Sequence, residues 1–176
     1  MMQKAPRVRL ANTFQLGSPQ TKATVYHIHL RTHQEAPLFG QIDGETTQLN
    51  GVGHIAANEW QQAANHYKSI RVDSWVVLPD SIRALIVLSD PTLVKPKQTY
   101  GKARSQVKPR ALTSFVAGFK AAAAKRINLV RCQPGAPVWQ KGYHEQRIED
   151  EITLIRIRQR LTRNAAEQYL GGLSGD

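Results

Sequence analysis

Residues 72–88, Val-Asp-Ser-Trp-Val-Val-Leu-Pro-Asp-Ser-Ile-Arg-Ala-Leu-Ile-Val-Leu, constrain this chain more than any other stretch. Two apolar runs, 75–78 and 85–88, flank the pair Pro79 and Asp80. Runs this rich in β-branched and aromatic residues are buried strands, and a proline that pre-sets φ makes the join between them a tight turn. The segment is therefore a hairpin in the middle of a sheet. Strand alternation puts Ser81, Arg83, Leu85 and Val87 on one face and Ile82, Ala84, Ile86 and Leu88 on the other. Ser81 and Arg83, side by side at the start of an otherwise apolar strand, are the pair a function has to explain.

The other elements fall around this hairpin. Residues 24–32 alternate, with Val25, His27, His29 and Arg31 on one face and Tyr26, Ile28 and Leu30 on the other, which is a first strand. Residues 38–40 and 46–49, joined at Asp43-Gly44, make a small hairpin. From 53 to 67 the spacing turns helical, with Ala56, Trp60, Ala63 and Tyr67 in one stripe. Residues 111–131 form a second helix on Leu112, Val116, Phe119, Ala123, Ile127 and Val130, stopped by Pro134-Gly135-Ala136-Pro137. Residues 138–148 are a short final strand. Acidic residues 149–151 then open a last helix, which suits its positive N-terminal end, and Gly171-Gly172 closes it. This order predicts the α+β class, an antiparallel sheet with packed helices in one domain over 23–170. A flexible arm over 1–22, a basic loop over 91–110 and a tail over 171–176 complete the expected organisation.

Charge narrows the function. The net charge is +11, and residues 91–144 contain no Asp or Glu but eleven Lys and Arg, while the rest of the chain balances thirteen against thirteen. A field of one sign favours phosphate contacts and polyanionic partners. The candidate nucleic-acid contacts are Lys95, Lys97, Lys102, Arg104, Lys108, Arg110, Lys120, Lys125, Arg126 and Lys141, with Arg83 from the hairpin and Arg160 from the last helix. Tyr100, Tyr143 and Trp139 are candidates for base stacking beside them, although a tryptophan at 139 also suits a core. The single Cys132 excludes a disulfide framework and a cysteine zinc site. No apolar run approaches the ~20 residues of a membrane span. The basic first ten residues lack an apolar signal core, so a cytoplasmic, nucleoid-associated protein of prokaryotic type is expected.

Several of these residues carry a resemblance. The frame Val76-Val77-Leu78-Pro79-Asp80, the strand Tyr26-His27 to Arg31-Thr32, the helix segments Gly118-Phe119-Lys120 and Lys125-Arg126-Ile127-Asn128, and Val138-Trp139-Gln140 with Tyr143 and Glu145 are similar to segments of REP-associated tyrosine transposases. These belong to the HUH-type single-tyrosine transposase superfamily. The resemblance covers residues 22–165 and implies a ferredoxin-like or RRM-like sheet and a monomer. In the family, two histidines after the hairpin turn bind Mg²⁺ or Mn²⁺, and a tyrosine of the last helix attacks a single-stranded DNA phosphodiester. Those metal positions hold Ser81 and Arg83 in this chain, and the nucleophile position in Arg156-Ile157-Arg158-Gln159-Arg160-Leu161 is Arg160.

Arginine stays protonated and cannot become a covalent nucleophile, and a serine with an arginine makes a poor divalent-cation pair. The expectation is a catalytically degenerate, domesticated domain. It binds single-stranded or hairpin DNA without cutting it and needs no cofactor, and its arginines take phosphates bidentately. Two alternatives stay open. One is an active endonuclease using displaced residues, with a metal on His27 and His29 completed by His144 or Glu145, and Tyr143 or Tyr169 as nucleophile. The other is an RNA-binding protein on an RRM-like sheet.

Overall fold

A computed structural model describes residues 23–44, 46–89 and 109–170, with side chains as far as residue 163 apart from Thr46. The expected arm over 1–22, nearly all of the basic loop and the tail over 171–176 lie outside the described residues.

The central hairpin is β4 (Ile70–Leu78) and β5 (Ser81–Leu88), joined by Pro79 and Asp80. Strand β1 (Thr24–Arg31) pairs antiparallel with β5, and β6 (His144–Ile148) pairs antiparallel with β1. The four-stranded order is β4-β5-β1-β6. A separate hairpin is made by β2 (Gly40–Asp43) and β3 (Thr46–Leu49). The helices are α1 (Gly51–His66), α2 (Arg110–Val130) and α3 (Glu151–Leu170). Setting the small hairpin aside, the sequence β1-α1-β4-β5-α2-β6 is the split βαβ arrangement of ferredoxin-like domains, as expected.

Alternation decides which helix covers which face. Tyr26, Ile28, Leu30, Ile82, Ala84, Ile86 and Leu88 pack with Ala56 and Trp60 of α1 and Leu112, Phe115, Phe119 and Ile127 of α2. Trp60 meets Phe115 and Phe119 edge to face, with centroids 5.2 and 5.0 Å apart, each contact adding about 1 kcal/mol beyond its buried area. The opposite face, with Val25, Val76, Leu85, Val87 and Ile148, packs on Leu154 and Leu161 of α3. The sheet thus lies between two helices on one side and one helix on the other.

Element ends differ from the periodic reading where caps intervene. Helix α1 starts at Gly51 rather than at 53, because the Asn50 side chain accepts the amide of Gly53 at 2.9 Å. Asp150 caps α3 in the same way through Thr153, at 2.7 Å. That hydrogen bond holds the Asp150 carboxyl below its ordinary range. Val130 is 61% exposed, and Ile127 is the last buried aliphatic residue of α2. The expected strand over 138–148 is only β6. Trp139 makes an isolated bridge to Thr32, and Gly142, at φ 74°, turns the chain between the two.

Candidate nucleic-acid interface

The register of β1 against β5 assembles the site. Arg83 lies directly across from His29, Ser81 from Arg31 and Leu85 from His27. On the far side of β1, His144 faces His29 and Gln146 faces His27. Partners directly opposite on antiparallel strands share a face. His27, His29, Arg31, Ser81, Arg83 and His144 therefore stand on one side of the sheet. It is the side of α3, on the part of β5, β1 and β6 beyond its buried contacts.

Thr32, fully buried, holds this corner. Its amide and hydroxyl both donate to the Asp80 carbonyl, at 2.8 and 3.0 Å, and the hydroxyl also reaches the Ala36 carbonyl at 2.7 Å. The hairpin turn is thereby tied to the end of β1. Ser81, buried beside it, donates its hydroxyl to the Asp80 carboxylate at 2.8 Å. Arg31 is engaged on one side by Glu35.

Helix α3 is anchored by a β-bulge. The register of β4 shifts between Val72 and Ser74, so Asp73 is the extra residue. Its carboxylate takes two hydrogen bonds from Arg158, at 2.8 and 3.2 Å, with both side chains largely buried. Arg160 is exposed two residues on. Arg156, Arg160 and Arg163 recur at intervals of four and three, an exposed arginine line along α3.

The electrostatics of the two histidines record these neighbours. Burial, then the charges of Arg83 and Arg160, holds His27 below its ordinary pKa. Burial, then Arg83 and Arg31, brings His29 down to about 4, against an opposing pull from Asp80. Both imidazoles are neutral at physiological pH, in a frame of fixed guanidinium charges. Three polar atoms here are buried without a hydrogen-bond partner among the described residues: Arg83 Nε, Arg31 Nε and His29 Nε2. Buried donors and acceptors left unpaired are costly, and a ligand that pairs them recovers that cost.

A divalent ion does not fit this donor set. Among the described residues no three His, Cys, Asp or Glu come close enough to hold a metal ion. Glu145 sits opposite Ile28, on the α1–α2 side, and so cannot complete a site on His27 and His29. His144 is on the right face, but Arg83 is the other cross-strand neighbour of His29.

The remaining sequence candidates divide between places. Tyr143 packs on the α1–α2 core with its hydroxyl 3.4 Å from that of Thr113, across the sheet from His27 and His29, and burial raises its pKa. Trp139 packs between Phe39 and Phe119 and donates to the Lys120 carbonyl at 3.1 Å. The Lys120 ammonium is held by the Gln140 and Gly142 carbonyls, at 2.6 and 2.7 Å, and burial lowers its pKa. Arg126 pairs with the buried Glu59 of α1. Arg110, Lys125 and Lys141 are exposed. Lys95, Lys97, Lys102, Arg104, Lys108 and Tyr100 lie outside the described residues, and Tyr169 falls where only the backbone of α3 is described. Sequence reasoning passed over Arg31, Arg156 and Arg163. The alternation of β1 and the four-and-three spacing of arginines in α3 were the signals that could have found them.

No model of a known protein family matches the chain. A Haemophilus influenzae protein described only as uncharacterized is 24% identical over 147 residues, covering 79% of this chain and 78% of that one. Two solved structures are similar in fold. One is a candidate transposase from Deinococcus radiodurans, with 17% identity and a TM-score of 0.49, over 86% of this chain and 98% of that one. The other is a REP-associated tyrosine transposase bound to a REP hairpin, with 11% identity and a TM-score of 0.46, over 85% of this chain and 69% of that one.

Proposed function

We propose that this chain binds single-stranded or hairpin DNA on the open part of the α3 face of its sheet, and that it does so without cutting the strand. One observation carries the reading: Arg83, Arg31 and the neutral His27 and His29 share one face, with Arg160 close enough to depress His27. Guanidinium groups take phosphate oxygens, and uncharged imidazoles offer flat surfaces and hydrogen bonds to an unpaired nucleotide. The acid-free composition of residues 91–144 supplies the wider attractive field.

The non-cutting part of this reading is supported by the side chains at the three matched positions. An in-line attack on a phosphodiester needs a nucleophile on the phosphate side of the sheet. Among the described residues, Ser81 is buried with its hydroxyl donated to Asp80, Arg160 is a permanent cation, and Tyr143 is on the opposite side with its hydroxyl engaged. The protein acts in this reading as a monomeric, domesticated DNA-binding protein of the cytoplasm and nucleoid.

The test is a titration with labelled single-stranded hairpin, duplex DNA and matched RNA at physiological salt, with the same samples run on a denaturing gel. Hairpin binding with intact strands is expected. A covalent protein–DNA adduct or cut strands would overturn the reading, and a marked preference for RNA would replace DNA as the target.

A further inference from the structure

We propose that this face is a metal-independent phosphate site, in which the Arg83 guanidinium takes the part of a divalent cation and a phosphodiester oxygen pairs with Arg83, Arg31 and His29. The inference rests on the nucleic-acid reading above and specifies how its phosphate is held. The carrying observation is that Arg83, Arg31 and His29 share one sheet face and that each has a buried nitrogen with no hydrogen-bond partner among the described residues, Arg83 Nε, Arg31 Nε and His29 Nε2. Arg83 and His29 are directly opposite on neighbouring strands, and Arg31 follows two residues along β1 on the same face. Opposed residues stand about 5 Å apart and alternate residues about 7 Å, so the three side chains rise from adjacent positions of one sheet face, within reach of a single phosphate group.

The charges on that face suit an anion and disfavour a metal ion. The carboxylates nearby are committed: Asp80 accepts the Ser81 hydroxyl and Glu35 engages Arg31. A dication placed beside His29 would stand next to the Arg83 guanidinium, and among the described residues no three His, Cys, Asp or Glu come together to complete its shell. A phosphate meets a fixed planar donor instead, one that needs no ion from solution.

The experiment uses the full chain and a labelled single-stranded DNA hairpin, titrated at matched ionic strength in EDTA, in Mg²⁺ and in Mn²⁺. Equal affinity in the three buffers is expected. Arg83→Met, which keeps the apolar stem and removes the charge, weakens binding about tenfold or more in every buffer, and Arg83→Lys recovers part of the loss. Binding that requires Mg²⁺ or Mn²⁺, or an Arg83→Met variant that binds like the parent, overturns the proposal while leaving nucleic-acid binding in place. No hairpin binding in any buffer overturns both readings. A thermal melt of each variant confirms that its fold is retained.

Discussion

At the scale of the residue, position 83 decides the character of the site. The guanidinium there disfavours a divalent cation and, after burial, is the second cause that keeps His27 and His29 uncharged. The neutral histidines carry a consequence for stability. His29 is ordinarily half-protonated near 6.5 and in the fold only near 4, and His27 is shifted in the same direction. Between those values the unfolded chain binds more protons than the folded one. The native state therefore loses stability as pH falls from about 6.5 towards 4 and keeps it above 6.5. At about 1.4 kcal/mol per pH unit, discounted for solvent access to the ring, the loss attributable to His29 is about 1 to 2 kcal/mol. Urea unfolding across that range measures it, and His29→Gln flattens the profile; an unchanged slope in the variant means that His29 is not the group whose protonation costs stability. A second expectation concerns Arg83→His, which removes the repelling charge and adds an imidazole beside His27 and His29. Calorimetry should show Zn²⁺ binding in this variant and none in the parent protein.

At the scale of the element, α3 is the part whose placement matters most. Its isoleucines suggest one apolar stripe, yet Ile152 is 71% exposed and the buried residues are Leu154 and Leu161. The Asp73–Arg158 pair fixes its docking on the bulged β4. Arg158→Ala leaves the Asp73 carboxylate buried without its ion-pair partner and costs about 3 kcal/mol in urea unfolding. Asp73→Ala with Arg158→Ala should cost less than the sum of the two single variants. In α2, Lys120 serves the fold by holding the carbonyls of Gln140 and Gly142. Lys120→Met is expected to destabilise by about 1 kcal/mol and to leave hairpin affinity unchanged. A large loss of affinity with an unchanged melting curve would return Lys120 to the interface.

At the scale of the whole molecule, the sheet separates two sets of basic residues. Arg31 and Arg83 share the α3-side face of the sheet and Arg156, Arg160 and Arg163 are exposed on α3 itself, while Lys120, Lys125 and Arg126 are on α2, which covers the other face. A single strand held on the α3 side releases counterions from the first set only. Replacing both Arg160 and Arg163 by Ala should lower the slope of log affinity against log salt by about 1.4, at ~0.7 per phosphate contact, and Lys125→Ala should leave it unaltered. Equal effects from both sets would mean that the nucleic acid passes around the sheet edge.

The α+β class, the central hairpin, its two faces and the three helices are legible in the residues themselves, because period-2 and period-3.6 burial is local and each strand or helix records its own. The Pro79-Asp80 turn and the caps at Asn50 and Asp150 belong to the same class of local signal. Net charge, likewise, is a sum that needs no coordinates. The candidate interface is different. His27 and His29 are 54 residues or more from Arg83 in the chain order of partners such as His29↔Arg83, and only the β1–β5 register brings them together. The same applies to Glu145 and Tyr143, which the sequence allows near the histidines and the sheet places on its other side. Lys120 and Arg126, basic on paper, are occupied by carbonyls and by Glu59 from remote segments. Sequence alone determined which residue types this chain has to work with. Pairing across strands, a property of no single segment, decided which of them face a ligand together.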